Sequence, residues 1–370
     1  MTKPIELPLG GVSKLSVERA LAELRAGRPI VVRRPEGDVL TCAAENLDDA
    51  TLAALNASGA SLRLVLTPAR LRRLGRDADS PASALLAGAT LAKIEEVVSA
   101  KTATLTWPVV EATEAERSGL EAVRLSLLLP CAVVARVDEA KALDVSALCH
   151  VNAADIATYQ TDAAHSLRIA SRAFVPLEGV ETCEFVVFRG GDGLRDQIAV
   201  VIGAPEAAQP VLVRIHSACL TGDLFGSLKC DCGDQLRGAV QRMADEGGGV
   251  LLYLDQEGRG NGIANKIRAY RLQHEGHDTY DADEILGFEN DHRRFDMAAE
   301  MIRQLGFSSV RLMTNNPQKI KALQDGGLNV AATHRVIARA NGHNAGYIAA
   351  KRDRAGHLFD KDSSTVLRSD

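Results

Sequence analysis

Three of the chain's seven cysteines, Cys219, Cys230 and Cys232, fall in one run from Arg214 to Gln235. The run reads Arg-Ile-His-Ser-Ala-Cys-Leu-Thr-Gly-Asp-Leu-Phe-Gly-Ser-Leu-Lys-Cys-Asp-Cys-Gly-Asp-Gln, a C-x10-C-x-C spacing. Three thiolates with no obvious fourth protein ligand suit a zinc ion that keeps one position open, the feature that separates a catalytic zinc from a structural one. Two other readings stay open at this point. His216 or a distant side chain closes a four-ligand structural shell, or two of the cysteines are reduced core residues beside an exposed one. The tight, polar Cys230-Asp231-Cys232-Gly233 turn argues against a core strand. Gly, Thr, Ser, Arg and Lys fill much of the run, which suits a phosphate-bearing substrate.

Three more segments carry chemistry. Asp255-Gln-Glu-Gly-Arg-Gly-Asn-Gly262 follows the apolar stretch Val250 to Leu254 and precedes a helical pattern through Tyr270. Glycines let a ligand approach the backbone, and helix N–H groups favour an anion. The plain alternative is a Gly-rich turn with a helix cap, and the Walker A pattern is absent. Asp291-His-Arg-Arg-Phe-Asp296 can set a base and a cation at one ligand, although alone it reads better as an exposed helix start. Met313-Thr-Asn-Asn-Pro-Gln-Lys319 follows the predicted strand Ser309 to Met313 and opens a helix with Pro317 in its first turn, capped by Asn315 or Asn316. An ordinary strand–helix connection explains it equally well. All four segments are expected at four strand ends, where ligand sites of α/β sheets gather. A metal, an acid, several cations and Gly-rich loops together favour metal-assisted hydrolysis of a nucleotide.

The elements that position these segments follow from periodicity. Leu15, Val17, Ala20, Leu21 and Leu24 predict a helix over 14–28, closed by Gly27 and Pro29 and followed by a buried strand at Ile30 to Val32. Thr51 to Ser58 reads as a helix and Leu62 to Leu66 as a strand. Thr67 reads as the N-cap of a helix that starts at Pro68 and runs through Leu74. Residues 150–175 carry no decisive pattern. Composition shifts near Gly179. Beyond it, Glu184 to Arg189 and Gln197 to Gly203 predict paired strands around Gly190-Gly191-Asp192-Gly193, and Val211 to His216 a strand entering the cysteines. Asp234 to Glu246 predicts a helix, Gly247 to Leu254 a strand, and strand and helix alternate to Ile337. The expected fold class is α/β in layers (α+β layered), in two domains: 1–178, 179–360, and a polar tail at 361–370.

Composition sets the outer limits. With 370 residues, 46% hydrophobic and 25% charged, the chain is an ordinary globular protein of about two domains. A net charge of −5 excludes a general nucleic-acid binder. Nothing in Met1 to Gly10 reads as a signal peptide, and the longest apolar run, Leu125 to Val137, is broken by Ser126, Pro130 and Arg136 and too short for a bilayer. An odd, clustered cysteine count favours metal over disulfides and predicts a cytoplasmic protein without membrane contact. There is no internal repeat.

Residues from about 180 to 358 resemble GTP cyclohydrolase II through four motifs in order: H-S-x-C-L-T-G-D…K-C-D-C-G-x-Q-L, Q-E-G-R-G-x-G, D-x-R-x-F and T-N-N-P-x-K. The resemblance implies that Cys219, Cys230 and Cys232 ligate one Zn²⁺ per subunit. It implies a GTP pocket lined by Arg214, Ile215, His216, Ser217, Ala218, Gln235, Glu257, Gly258, Arg259, Thr279, Thr314 and Lys319, with Tyr270 near the guanine ring. Asp291 becomes the proton acceptor. Arg293 is the family's nucleophile toward the α-phosphate; a guanidinium of pKa above ~12 is a poor nucleophile, so charge stabilisation at phosphorus fits it better. The implied reaction is attack of zinc-activated water at C8 of guanine, with release of formate, and loss of pyrophosphate assisted by Mg²⁺. The implied product is 2,5-diamino-6-ribosylamino-4(3H)-pyrimidinone 5′-phosphate, at the first step of riboflavin biosynthesis, and a homodimer is implied too. The chain departs from the pattern at Ala218, usually glutamate, at Lys229, usually arginine, and at Asp255.

The first half resembles 3,4-dihydroxy-2-butanone 4-phosphate synthase more weakly, in Ala20 to Val32, Ala43-Ala44-Glu45 and Leu64 to Leu74. That enzyme needs acidic residues directly after its first strand to hold Mg²⁺ and move protons. Here the place reads Arg33-Arg34-Pro35-Glu36-Gly37-Asp38, and the later R-x-G-H-T-E stretch is missing. A degenerate domain that keeps the fold, without the synthase activity, is expected. Two alternatives to a GTP cyclohydrolase II remain: a related ring-opening enzyme of another pathway, such as pyrimidine catabolism or one that retains the formyl group, and a non-catalytic GTP-binding regulator.

Overall fold

The computed structural model of the chain describes residues 12–140, 142–191, 195–289 and 291–336. They form two compact units. The first holds the described residues up to Asp162 with Ile267–Arg271 and 281–289; the second holds Ala163–Lys266, Leu272–Tyr280 and the described residues from Asp291. The predicted 192–193 turn and the 361–370 tail lie outside the described residues. No described helix is long and apolar enough to cross a membrane.

In the first unit, helix α1 (Val12–Arg25) buries Val17, Ala20, Leu21 and Leu24, the spacing of one helical face. It ends at Gly27, whose φ of 79° is the left-handed turn that suits glycine. The predicted buried strand is β1 (Ile30–Arg33). There follow β2 (Val39–Ala43), α2 (Asp49–Ala57), β3 (Arg63–Leu66), α3 (Pro68–Arg73), β4 (Ala82–Leu85), α4 (Leu91–Ser99), β5 (Val109–Glu111), α5 (Glu114–Leu125), β6 (Cys131–Arg136), β7 (Cys149–Asn152) and α6 (Ala153–His165). Asp48, Thr67, Thr90 and Thr113 each accept a backbone N–H at a helix start, which satisfies donors the helix itself leaves open. The sheet order is β5-β4-β3-β6-β2-β1-β7. Its pairs are antiparallel except β1 with β7, which run parallel with Arg33 opposite Asn152.

The second unit begins with three antiparallel strands, β8 (Arg168–Phe174), β9 (Cys183–Arg189) and β10 (Gln197–Gly203). Along the chain there follow β11 (Val211–Ser217), α7 (Leu220–Asp223), α8 (Cys232–Asp245), β12 (Gly248–Leu254), α9 (Ile263–His274) and α10 (Thr279–Ile285), of which 267–271 and 281–285 group with the first unit, then α11 (Asp296–Gln304), β13 (Ser309–Met313), α12 (Pro317–Asp325) and β14 (Asn329–His334). The order is β14-β13-β11-β12-β10-β9-β8, and the first four run parallel. Strands β11 and β12 are buried almost throughout, as a parallel sheet covered on both faces requires. Val213, Ile215, Val250 and Leu252 pack against Ala298, Met301, Ile302 and Leu323. Leu212 and Leu251, on the other face, meet Ala239 and Met243 of α8. The expected layered α/β class is what the two seven-stranded sheets display.

Candidate active site

Parallel strands point their C-terminal ends the same way, so β11, β12 and β13 deliver three of the four segments together. The fourth, Asp291 to Asp296, is a correction to the expected four strand ends: it follows α10 and opens α11. It is nevertheless tied to the end of β12. The Gln256 side chain brackets Arg294, donating to its carbonyl at 2.6 Å and accepting its N–H at 2.7 Å. His292 N–H donates to the Arg259 carbonyl at 3.1 Å. Gly260, at φ 87°, lies where a Cβ would meet the His292 carbonyl at 3.0 Å, so glycine permits the contact.

β11 ends at Ser217, and Ala218 N–H donates to the Leu254 carbonyl at 2.7 Å, which fixes where the chain turns into Cys219. The short α7 then places Asp223 so that its carboxylate accepts Cys219 N–H at 2.9 Å and Tyr253 OH at 3.1 Å. His216 Nε2 lies 3.0 Å from the same carboxylate, and its ring stacks on Tyr253 at 5.6 Å. His216 therefore faces Asp223 and is not among the grouped metal-ligand atoms, which removes the four-ligand reading built on it. Cys219, Cys230 and Cys232 bring their Sγ atoms within 4.8 Å of one another, with Cys219 and Cys230 at 3.6 Å. Gly222 completes the cradle, because a Cβ there would lie 2.7 Å from Cys230 Sγ and 3.0 Å from Cys219 Sγ. All seven cysteines are free thiols. The donor set and its compactness fit zinc.

Lys266, which the sequence reading passed over, donates to Cys219 Sγ at 3.0 Å and to Glu257 Oε1 at 2.7 Å. Glu257 Oε2 accepts Leu220 N–H at 2.6 Å, so both its oxygens are occupied within the protein. Cys219 is held well below the ordinary thiol value, first by hydrogen bonds from Cys230 and Cys232, then by Lys266. Cys230, which serves Cys219, is pushed up. Asp223, Tyr253, Gln256 and Phe295 were also missed. Asp223, Gln256 and Phe295 stand inside the quoted motifs but carried no assigned role, and Tyr253, in the preceding apolar strand, gave no signal.

The phosphate-type groups converge from three strands. Arg214 donates to the Met313 carbonyl at 2.9 Å and to Gln235 Oε1 at 2.6 Å, and burial lowers its pKa to about 10. Gln235 in turn donates to Asp231 at 2.5 Å. Lys319 Nζ donates to the Ile215 carbonyl at 2.8 Å and sits 5.0 Å from the Phe295 ring, with the Arg293 guanidinium 5.6 Å from that ring. Asn316 caps α12, and Thr314 Oγ1 accepts Asn316 N–H at 3.0 Å. Asp291 accepts Arg293 N–H at 3.0 Å and Nε at 2.8 Å. Burial raises the Asp291 pKa, but Arg293 outweighs it and the net shift is downward. Gly258 and Arg259 both adopt left-handed φ, near 60°, strain that a non-glycine residue bears only when its surroundings hold it there. Arg259 donates to the Thr279 carbonyl at 3.0 Å and covers the Tyr280 ring at 4.4 Å. Tyr270 belongs to Ile267–Arg271, which groups with the first unit.

Arg214 Nε, His216 Nδ1 and Ser217 Oγ are buried with no hydrogen-bond partner. Buried polar atoms are paired as a rule, so three unpaired along one strand end mark a place for a polar ligand. Burial lowers the His216 pKa. With Nε2 directed at Asp223, the neutral ring leaves Nδ1 as an acceptor.

A three-thiolate centre at parallel strand ends, next to clustered cations and a paired Asp–Arg, defines a metal-using enzyme of the α/β class that handles an anionic substrate. The profile of the family "GTP cyclohydrolase II" matches residues 168–336. The chain is 40% identical over 370 residues to GTP cyclohydrolase-2 of Azospirillum brasilense, covering 95% of this chain and 96% of that one. It is 41% identical over 363 residues to GTP cyclohydrolase-2 of Xylella fastidiosa strain 9a5c, covering 96% and 90%. A riboflavin biosynthesis protein of Bacillus subtilis is 48% identical over 166 residues, 45% of this chain and 42% of its own. The chain belongs to the GTP cyclohydrolase II family, enzymes of riboflavin biosynthesis.

Proposed function

We propose that the second unit opens the imidazole ring of GTP and releases formate and pyrophosphate. The observation that carries this is the turn at 256–260. Glu257 fixes Leu220 beside the first thiolate, while Gln256 and Arg259 hold the Asp291 segment. One turn thus sets the metal cradle against the Asp–Arg pair. Cys219, Cys230 and Cys232 would hold zinc, which when bound supplies the Lewis acidity that makes water nucleophilic near pH ~7.

The chain's own groups do the rest. Asp291, ionised because Arg293 lowers its pKa, takes up a proton. Arg293, aligned by that same carboxylate, stabilises charge at the α-phosphate. Arg214 Nε, Ser217 Oγ and His216 Nδ1 are unpaired atoms at the end of β11 that can serve the substrate. Lys319, Arg259, Gln235, Thr279 and Thr314 complete the GTP pocket, with Gly258 giving close backbone approach. Mg²⁺ accompanies the triphosphate, and the working form is a cytoplasmic homodimer. The domain at 1–178 is a degenerate synthase-like domain: Arg33 and Arg34 stand at the end of β1, where metal-holding acids are needed.

The test is incubation of zinc-loaded protein with GTP and Mg²⁺, with formate, pyrophosphate and the diamino-pyrimidinone product measured together. Equal formate and pyrophosphate with the deformylated product is the expected result. Pyrophosphate without formate would replace ring opening by a formyl-retaining reaction. Bound GTP without turnover would make the protein a regulator. Ribulose 5-phosphate should not be consumed.

A further inference from the structure

We propose that His216 recognises the sugar of the nucleotide, its Nδ1 accepting a hydrogen bond from a ribose hydroxyl. The inference deepens the ring-opening reading above and rests on it. The order of groups along β11 is what suggests it. The strand carries Arg214, then His216 two residues on, and leads to Cys219 three residues further. Side chains two apart on a strand share a face and stand about 7 Å apart. Arg214 and His216 therefore look the same way, and Ser217 the other. On the ring-opening reading Arg214 serves the triphosphate, and Cys219 belongs to the cradle that meets the imidazole ring. A nucleotide bonds its ribose between those two parts. The side chain that β11 sets between the two protein groups is His216.

The ring is held so that only one of its nitrogens can serve a ligand. His216 is 3% exposed, pairs with Tyr253 across the β11–β12 ladder, and stacks on its ring at 5.6 Å and 14°. Its Nε2 lies 3.1 and 3.0 Å from the two oxygens of Asp223. That carboxylate is fixed in turn, because it accepts Cys219 N–H at 2.9 Å and Tyr253 OH at 3.1 Å. A carboxylate only accepts, so Nε2 carries the hydrogen and the neutral ring has its lone pair at Nδ1. Nδ1 is buried and has no partner among the described residues, where buried polar atoms are paired as a rule. Burial lowers the His216 pKa; Asp223 opposes this, and the Arg214 and Lys319 charges add to it. Nδ1 thus needs a donor. Phosphate oxygens cannot supply one. The N–H groups of guanine sit on its six-membered ring, away from the imidazole. The ribose hydroxyls are the donors that lie between imidazole and phosphate.

The test compares kcat/KM for GTP, 2′-deoxy-GTP and 3′-deoxy-GTP in the zinc-loaded full-length protein with Mg²⁺. The parent should prefer GTP over one analogue by about tenfold or more, the scale of a hydrogen bond to a buried acceptor. Whichever analogue suffers identifies the hydroxyl. His216→Phe keeps a ring on Tyr253 and removes Nδ1, so the preference should shrink to within about twofold, with zinc content as in the parent. His216→Asn sets an amide oxygen near the place of Nδ1 and should recover part of the preference. A parent that uses all three nucleotides equally overturns the proposal. So does a His216→Phe variant that turns over all three more slowly but keeps the preference, since His216 would then serve the attacking water or the fold. If the parent opens none of them, the ring-opening reading itself fails. The same nucleotides are then compared by calorimetry: a preference lost in His216→Phe sustains the ribose contact, and equal affinities in the parent overturn it.

Discussion

Arg70 and Arg214 are both buried arginines beside a seven-stranded sheet, and they are treated in opposite ways. Arg70, in the first unit, donates to the carbonyls of Val97 at 2.8 Å, Ile285 at 2.6 Å, Ala100 at 2.8 Å and Glu96 at 3.3 Å. Every part of its fork is used, and it binds chain segments to one another. Arg214, in the second unit, leaves Nε unpaired, and His216 Nδ1 and Ser217 Oγ further along the same strand are unpaired as well. Burial without partners costs about 1–3 kcal/mol per group. The second unit carries that cost along one strand end, where a polar ligand would offset it. Thus burial of charge alone does not distinguish a site from a scaffold; several unpaired polar atoms gathered at one strand end do, whereas the first unit's Thr41 Oγ1 stands alone in its strand.

The sharpest way to break this contrast is to remove the metal cradle. Cys219→Ser should abolish stoichiometric zinc binding and lower formate release by about 10³-fold or more, since a Lewis acid supplies several kcal/mol. Zinc analysis beside the GTP assay checks it, and an active, zinc-free variant would refute the site. Asp291→Asn should lower kcat by about 10²-fold or more with little change in KM, the range for a proton acceptor. The Asp291 pKa lies below its ordinary 3.8, so the carboxylate is charged throughout the neutral range. Its pairing with Arg293 therefore stabilises the fold fully above that ordinary value, and the contribution is lost only as pH falls through the lowered one. An acid limb of activity above pH ~5 would belong to another group, and Asp291→Asn should leave its midpoint in place.

Much of this contrast was legible in the residues. The thiol triad, the Gly-rich turn and the capped helix at Pro317 announced themselves because each needs unusual residue types at fixed spacing. Periodicity located α1, β1, β3 and α3, and Thr67 caps α3 as expected. The stretch at 150–175 gave no pattern because β8 exposes six of its seven residues and so carries no buried alternation. Residues 291–296 looked like a strand end, yet they reach the site through Gln256, a contact between residues 38 positions apart that no local pattern encodes. Lys266 was hidden for the same reason, since its partners lie 47 and 9 positions away. For Glu257 the motif gave a place in the pocket but not its internal partners, Leu220 N–H and Lys266, which lie 37 and 9 positions away.

The counterpart substitution in the first unit should act on stability and spare the chemistry. Arg70→Met keeps the volume but strips four carbonyls of their donor. Unfolding should become easier by about 3 kcal/mol, seen as a lower Tm, while kcat of the remaining folded protein is unchanged. A large loss of kcat with an unaltered Tm would erase the distinction between the two arginines.

The finest test lies where scaffold and site meet. Lys266 is nearly buried with Glu257, at 11% and 9% side-chain exposure, and its ammonium touches Cys219. Replacing it by methionine fills the space and removes the charge. The Cys219 thiolate then loses a stabilising cation, and Glu257 keeps Leu220 N–H as its remaining partner. Residues that orient a metal ligand typically change affinity by about 10–100-fold, so chelator competition should show zinc held more weakly by that factor in Lys266→Met. Arginine at 266 would preserve the charge and should recover part of the affinity. If Lys266→Met binds zinc as the parent does but is less stable, Lys266 serves only the buried ion pair, and the boundary between site and scaffold runs at Cys219 itself.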